Sequence, residues 1–180
     1  MNRELDAVVI GAGFAGLYML HRLRRLGHSA VVIEKAADVG GTWWWNRYPG
    51  ARCDVESLAY SYSWDPELEQ EWTWSERYAP QPEILAYFES LVPRFGLERF
   101  LRLNTPVNSA TWDDATSTWR LVTGDGEEHV ADVLVSGLGQ LNVPNIPDID
   151  GLDTFDGTVF HSAFRMHMPH ALAFSLSRIN

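Results

Sequence analysis

A glycine-rich turn between two apolar segments constrains the fold of this 180-residue chain more than any other feature. The apolar residues 7–10 precede the sequence Gly-Ala-Gly-Phe-Ala-Gly at positions 11–16, and a second apolar segment, residues 30–33, is followed by Glu34. Between them, leucines recur at helical spacing up to Gly27, which favours the end of a helix. Strand, glycine turn, helix, strand and acid in this order predict a dinucleotide-binding βαβ unit.

Each part of this unit has a physical role in binding a dinucleotide. Gly11 permits a tight turn, Gly13 lets the backbone approach a pyrophosphate, and Gly16 lets the helix pack closely on the strand. The helix N-terminus presents free N–H groups to the phosphates. Glu34 can accept hydrogen bonds from ribose hydroxyls and would repel a 2′-phosphate, which favours FAD or NAD over NADP here. The alternative is a structural βαβ turn without a ligand.

Composition and charge narrow the classes of function. A formal net charge of −10 argues against a nucleic-acid-binding surface. No apolar run reaches the length of a membrane span, and the few residues before the first strand leave no room for a signal peptide, so we expect no membrane partner. The single cysteine, Cys53, excludes an internal disulfide, and we therefore expect a location in the reducing cytoplasm. From the length of 180 residues we expect one domain.

Residues 39–54 form a long segment rich in glycine and aromatic side chains, with three consecutive tryptophans at positions 43–45. Three adjacent indoles cannot all point into one core from a regular element, so some of them should contact a ligand or another surface. Long structured loops in compact domains are usually functional. The alternative is that the tryptophans fill a hydrophobic gap while Arg52 pairs with Asp54 at the surface, and composition alone leaves both interpretations open.

This segment carries a resemblance to a known family. The sequences Gly-Gly-Thr-Trp at 40–43 and Asn-Arg-Tyr-Pro-Gly-Ala-Arg-Cys-Asp at 46–54, together with residues 57–63 and 70–85, resemble the FAD-domain signature of type I Baeyer–Villiger monooxygenases. The resemblance covers roughly residues 6–162. It implies an α/β, Rossmann-like FAD-binding domain of three layers, with a parallel central sheet and a small antiparallel β-meander.

The same resemblance implies which residues contact the cofactor. The positions are Gly11, Gly13, Phe14, Ala15, Gly16, Glu34, Lys35, Gly41, Thr42, Trp43, Asp54, Val55, Tyr60, Val107, Gly139 and Gln140. The first glycines would hold the FAD pyrophosphate, and Glu34 the adenosine ribose. Val107 falls where the family contacts adenine through its backbone. Asp54 matches the catalytic-site acid that lies near the flavin in the family and orients a catalytic arginine.

The resemblance also implies an activity for the complete protein. It would be an NADPH-dependent flavin monooxygenase that uses O₂ to insert oxygen beside the carbonyl of a small-molecule ketone, through a C4a-peroxyflavin. Two alternatives stay open, a non-catalytic FAD-binding fragment and an N- or S-oxygenating flavin monooxygenase.

The resemblance fades between residues 162 and 170, where Arg165 and Met166 depart from the family's fingerprint. We therefore expect an FAD-binding domain over residues 1–162 and a divergent tail over residues 163–180. No second Gly-x-Gly-x-x-Gly occurs, so we expect these 180 residues to lack an NADPH-binding domain and the FAD-binding domain to be incomplete relative to the family. Histidines 161, 167 and 170 have no matching acid or cysteine, and no metal site is predicted.

Hydrophobic patterning and turn signals predict the remaining elements. They comprise a helix over residues 82–95 with Pro93 late in it, a strand over 101–107, a meander over 109–113, 119–123 and 128–132, and an apolar strand from 133 that ends in Ser-Gly-Leu-Gly. Asp125 and Gly126 favour a tight hairpin turn. Trp112 and Trp119 are expected to pack on one face of the sheet.

Overall fold

The computed structural model describes residues 5–157, His161 and Ala163. Strand β1 (Leu5–Ile10), helix α1 (Phe14–Arg25) and strand β2 (Ala30–Ile33) follow one another as the glycine motif predicts. The two strands are parallel and in register from the Ala7–Ala30 pair to the Ile10–Ile33 pair. The predicted βαβ unit is therefore confirmed.

The rest of the described chain adds three helices and four strands. They are α2 (Thr42–Trp45), α3 (Pro66–Glu71), α4 (Gln81–Arg94), β3 (Leu101–Arg102), β4 (Val107–Asp113), β5 (Thr118–Thr123) and β6 (Glu128–Ser136), with 3₁₀ turns at Glu98–Phe100 and Leu152–Thr154. One six-stranded sheet has the order β3-β2-β1-β6-β5-β4. The strands from β3 to β6 in this order pair in parallel, and β5 and β4 continue the sheet in antiparallel pairing.

The two faces of the parallel strands are covered by different elements. Alternate side chains point to opposite faces of a strand, so Val9 of β1 joins the side chains of α1 and α4 in the larger core. Val8, on the opposite face, packs in a smaller core with Ile33 of β2 and Leu121 of β5. Helices, parallel sheet and meander thus form three layers, which confirms the predicted α/β architecture.

Strand β6 joins the meander to the parallel part of the sheet. Its first half pairs with β5, up to Ala131 opposite Trp119, and its second half pairs with β1, down to Ser136 opposite Ile10. Trp112 and Trp119 are cross-strand neighbours whose ring centroids lie 5.5 Å apart, as expected. Gly126 has a φ of +86° in the hairpin turn between β5 and β6, which confirms that turn.

Helix α4 covers the predicted segment within one residue at each end. Ile84, Phe88 and Leu91 form a buried apolar face of this helix, and Pro93 lies in its last turn, as predicted. In the described part of the chain, no helix combines the length and the apolar character needed to cross a membrane. Apart from Ala163, the predicted tail lies outside the described residues.

The prediction of one strand over residues 101–107 is wrong. The chain forms the two-residue strand β3, then leaves the sheet and re-enters it as β4. Asn104 adopts a φ of +55°, and its N–H donates to the Ala36 carbonyl at 2.8 Å, while the N–H of Thr105 donates to the Glu34 carbonyl at 2.8 Å. These bonds turn the chain toward the end of β2, so a continuous strand cannot form.

Helices α2 and α3 were not predicted. The single turn of α2 lies inside the long aromatic segment, which has no helical periodicity. Helix α3 carries an ordinary start signal, because the Asp65 side chain accepts a hydrogen bond from the Leu68 N–H at 2.8 Å and Pro66 occupies the first helical position. That signal was readable in the sequence.

Candidate functional site

A cavity of about 1040 Å³ opens at the carboxyl ends of the parallel strands. The last residues of β1, β2 and β6, which are Ile10, Ile33 and Ser136, all line it. Ligands of open α/β sheets bind in the crevice outside these strand ends. The volume lies just above the range of about 300–1,000 Å³ for small-molecule sites, so the cavity can hold a ligand as large as a dinucleotide.

The glycine turn lines this cavity at Gly11 and Gly13, and it packs too closely on its neighbours to accept side chains at Gly11 and Gly16. A Cβ on Gly11, whose φ is +99°, would lie 2.6 Å from the carbonyl oxygen of Gly137. A Cβ on Gly16 would lie 1.7 Å from the carbonyl oxygen of Gly11. Helix α1 is therefore pressed against the turn, and the turn against the loop after β6.

The N-terminus of α1 is left open toward the cavity. Gly13 precedes the helix without a side-chain cap, and the first turn contains no acidic residue. Gly13, Phe14 and Ala15 all line the cavity. The free N–H groups and the positive end of the helix dipole at this position favour an anionic group such as a pyrophosphate.

A second glycine pair brings the aromatic segment onto the first turn. A Cβ on Gly41 would lie 2.9 Å from the Cα of Gly13, and the N–H of Gly40 donates to the Ala12 carbonyl at 3.0 Å. Gly41, Thr42 and Trp43 then line the cavity. The two glycine-rich segments, separate in sequence, thus form adjoining walls of one site.

Glu34 lies in the cavity wall and is 5% exposed. One carboxylate oxygen accepts a hydrogen bond from the Ala12 N–H at 2.7 Å, and the other accepts one from the Ala36 N–H at 2.8 Å. Each oxygen retains acceptor capacity for a further donor, such as a ribose hydroxyl. The acid therefore shapes the glycine turn as well as offering a ligand contact.

Lys35 and Trp45 lie on the same wall. The Lys35 ammonium lies 4.9 Å from the centroid of the Trp45 ring, within the range of a cation–π contact. This contact accounts for one of the three consecutive tryptophans. Trp44 carries a similar contact, because the Arg47 guanidinium lies 4.0 Å from its ring centroid. Trp43 is the one that enters the core.

Trp43 and Tyr60 form an aromatic wall further along the cavity. The indole N–H of Trp43 donates to the Tyr60 hydroxyl oxygen at 3.1 Å, so the hydroxyl proton is free to point elsewhere. Burial raises the pKa of Tyr60 above its ordinary value of 10.0, which keeps that proton in place. Cys53 and the exposed Asp54 line the same region, and burial also raises the pKa of the Cys53 thiol.

Most of the positions predicted to contact a cofactor lie on this single wall, including the distant Val107, Gly139 and Gln140. Two do not. Gly16 lies behind the turn, where its role is close packing, and Val55 is 41% exposed and outside the cavity. The cavity is also lined by residues that no sequence motif marks, among them Thr105, Pro106, Asn108, Ser109, Ala110 and Asn142.

The surface pair considered for Arg52 and Asp54 is wrong. Arg52 instead pairs with Glu76, with 2.6 Å between the guanidinium nitrogen and the carboxylate oxygen. Asp54 is thereby left on the cavity wall.

Within the described part of the chain, no three His, Cys, Asp or Glu side chains come together as metal ligands would. His161 contacts the carbonyl oxygen of Asn145 at 3.1 Å. The other two histidines of the tail, His167 and His170, lie outside the described residues.

Comparison with known proteins supports the resemblance to flavin monooxygenases that the sequence motifs indicate. Residues 9–72 match the model of a family described as an NAD(P)-binding Rossmann-like domain. The chain is 48% identical over 160 residues to a phenazine N-monooxygenase of Lysobacter antibioticus, and 46% identical over 163 residues to a Baeyer–Villiger monooxygenase of Pseudooceanicola batsensis. These alignments cover 88% and 90% of this chain, but the chain spans only 30% of the length of each relative.

Solved structures of related enzymes share the fold. The structure of an oxidized steroid monooxygenase bound to NADP matches with a TM-score of 0.78 and 53% identity, over 88% of this chain and 30% of the other. A cyclohexanone monooxygenase from Rhodococcus sp. Phi1 bound to NADP⁺ matches with a TM-score of 0.81 and 48% identity, over the same shares. The chain is therefore a homologue of the Baeyer–Villiger monooxygenases and corresponds to the N-terminal, FAD-binding part of that family.

Proposed function

We propose that this chain is the FAD-binding part of a flavoprotein monooxygenase that, in its complete form, uses NADPH and O₂ to insert oxygen beside a ketone carbonyl. The observation that supports this most is the convergence of the two glycine-rich segments and Glu34 on one cavity at the carboxyl ends of the parallel strands. Baeyer–Villiger monooxygenases among the relatives support the reaction type, and cyclohexanone monooxygenase supports a small ketone as substrate.

The chain's own residues would bind and orient the cofactor. The N-terminus of α1 would hold the pyrophosphate, and Glu34 would accept hydrogen bonds from the adenosine ribose. Val107, Gly139 and Gln140 would complete the wall. A bound FAD would supply the redox chemistry that the side chains of this cavity cannot supply themselves.

The aromatic end of the cavity would exclude water from the reacting part of the cofactor. Trp43 and Tyr60 provide a mostly buried wall there, and Tyr60 keeps a hydroxyl proton available for donation. Asp54 provides a carboxylate at the same end, where it would orient the arginine that the family uses in catalysis. A few fixed polar groups in a dry site suit a reaction whose oxygenating species is sensitive to water.

A second candidate function is oxygenation of a ring nitrogen. It is favoured by the phenazine N-monooxygenase, which is as similar to this chain as the Baeyer–Villiger relatives are. A non-catalytic FAD-binding fragment is the third.

For the organisation of the chain we propose an FAD-binding domain over residues 1–162 and a tail over residues 163–180. We also propose a cytoplasmic location, supported by the single cysteine.

Cofactor binding is tested at equilibrium by titrating FAD with the purified chain and following the change in flavin fluorescence. We expect weak binding, because the relatives are about three times longer than this chain and their additional residues would complete the FAD site.

Ala15 offers a matched pair of variants, since it is exposed in the first turn of α1 and lines the cavity. Ala15→Asp should abolish binding by repelling the phosphates while favouring the helix, and Ala15→Asn should retain it. A flavin fluorescence that stays unchanged on titration with the unmodified chain would refute the proposal.

Substrate class is tested by following NADPH oxidation under air with FAD and either cyclohexanone or phenazine. Because the 180 residues contain no second Gly-x-Gly-x-x-Gly, we expect no turnover from them alone. Oxidation stimulated by the ketone would assign the Baeyer–Villiger reaction to the chain, and oxidation stimulated by phenazine would assign N-oxygenation. FAD binding without either response would identify a binding fragment.

A further inference from the structure

Gln81, the first residue of α4, is a buried polar side chain outside the cavity wall. It is 7% exposed, and its side-chain N–H donates to the Trp43 carbonyl oxygen at 2.6 Å. Two further hydrogen bonds of Trp43 are the one from its indole N–H to the Tyr60 hydroxyl oxygen and the one from its backbone N–H to the Gly40 carbonyl at 3.0 Å. Gln81 therefore adds a hydrogen bond between Trp43 and α4 to the apolar packing of the core.

Gln81 also holds the far end of the same loop. Its backbone N–H donates to the Ala51 carbonyl at 2.9 Å, and two residues later the Cys53 N–H donates to the Ala79 carbonyl at 3.1 Å. Residues 43–53, which we call the cavity loop, are thus tied to Gln81 near both ends. Several of its side chains, including Trp45 and Asn46, line the cavity.

We propose that Gln81 is a positioning residue that holds the cavity loop against the glycine turn, and that FAD binding depends on the hydrogen bond it donates to Trp43. This inference rests on the proposed function, because the ligand is the same FAD. Gln81 would not touch the cofactor itself. It acts through Trp43 and, two residues earlier in the chain, through Gly41, whose Cα lies against Gly13.

The physical reason is the cost of leaving the Trp43 carbonyl without a donor. A buried acceptor that loses its partner carries its full desolvation penalty, so the loop shifts to reach water instead. Such a shift moves the walls of the site, although Gln81 is remote from the phosphates. A weakening of FAD binding by about tenfold corresponds to the loss of one such hydrogen bond.

Two near-isosteric variants separate the donated hydrogen from the shape of the side chain. Gln81→Met keeps the length but donates nothing, so it should weaken FAD binding about tenfold at every pH. Gln81→Glu donates only when its carboxyl is protonated, and burial raises the pKa of such a group. Binding by Gln81→Glu should therefore approach that of the wild type near pH 5.5 and weaken progressively toward pH 8.5.

The titratable side chains near Gln81 do not themselves produce the expected pH dependence of FAD binding. Burial raises the pKa values of Cys53 and Tyr60 above their ordinary 9.0 and 10.0, outside the range of the titration. The nearby Arg52 is paired with Glu76. Asp54 and Glu83 are present in the wild type as well, so comparing the FAD affinities of variant and wild type at each pH removes their contribution. Gln70→Glu, at an exposed position in α3, is the matched control and should bind FAD as the wild type does throughout.

The second measurement is amide hydrogen exchange of residues 43–53, corrected for the intrinsic pH dependence of exchange. Gln81→Met should lose protection in the cavity loop at both ends of the pH range, and Gln81→Glu only at the alkaline end. Unchanged protection and affinity in both variants, or an equal loss at every pH in Gln81→Glu, would overturn the role of the donated hydrogen. Should the wild type bind no FAD, the proposed function fails, and the exchange measurement alone then decides the role of Gln81.

Discussion

The backbone N–H of Ala12 donates a hydrogen bond of 2.7 Å to the carboxylate of Glu34. This bond ties the glycine turn after β1 to the residue that follows β2, and the second oxygen of the same carboxylate accepts a hydrogen bond from the Ala36 N–H. The acid that marks a ribose-binding position in the sequence is therefore also a structural part of the turn.

Replacing Glu34 should destabilise the chain even without a cofactor. Glu34→Gln keeps the size of the side chain but offers one acceptor oxygen where two N–H groups need partners, so one of them stays unsatisfied. We expect a loss of about 1–3 kcal/mol in the free energy of unfolding, measured by urea denaturation. Glu89→Gln, exposed on α4, is the control and should change little. Equal stability of Glu34→Gln and wild type would show that the two N–H groups find other partners.

The contact between α1 and the glycine turn tolerates no side chain at Gly16. Gly16→Ala places a Cβ 1.7 Å from the Gly11 carbonyl oxygen, which forces the helix and the turn apart. We expect a loss of more than about 3 kcal/mol, or no folded protein, by the same denaturation measurement. Gly27→Ala is the comparison, because it meets no neighbouring atom and should cost only about 1–2 kcal/mol for its φ of +87°. Similar costs at both sites would contradict the close packing.

His21 should make the chain less stable in acid. Its ring packs against Trp64 and Phe95 at centroid distances of 4.3 and 4.7 Å. Burial, with Arg25 and Arg22 adding to it, lowers the pKa of His21 below 6.5, and Asp65 opposes this only in part. The unfolded chain therefore binds the proton more readily, so this part of the stability is complete above pH 6.5 and is lost as the pH falls toward the folded-state pKa.

The substitution His21→Phe keeps an aromatic ring in the cluster and removes the titrating group. The free energy of unfolding of each protein is measured at pH 8 as its own reference. Between pH 7 and pH 5, that free energy should fall less in His21→Phe than in the wild type. The same dependence on pH in both proteins would exclude His21 as its source.

Cys53 should react slowly with thiol reagents in the folded chain. The side chain is 6% exposed and burial raises its pKa, so little thiolate is present at neutral pH. The absorbance change with a disulfide reagent should be slow in buffer and fast in urea, and the single cysteine makes the signal unambiguous. Added FAD should slow the native reaction further, because Cys53 lines the cavity. A fast native reaction would contradict its burial.

The βαβ unit and the helix α4 were predictable because their signals are local. Apolar runs, helical spacing and glycines at turns act within a few residues, and both elements lie within a residue or two of their expected ends. Asp65 and Pro66 carry an equally local start signal for α3, since an N-cap acid followed by a proline is typical of a helix N-terminus. The strand expected over residues 101–107 failed for the opposite reason, since the bonds that end β3 come from Ala36 and Glu34, about 70 residues away in sequence.

The sequence by itself predicted the dinucleotide-binding βαβ unit that the structure contains. Through its resemblance to a family, it also predicted a set of cofactor-binding positions, of which all but Gly16 and Val55 line one cavity. Tertiary structure alone decided that Glu34 also fastens the glycine turn, that Arg52 pairs with Glu76, and that Gln81 holds Trp43. The reason is that a motif records which side chains a ligand needs, whereas the partners that fix those side chains are chosen by packing between segments distant in sequence.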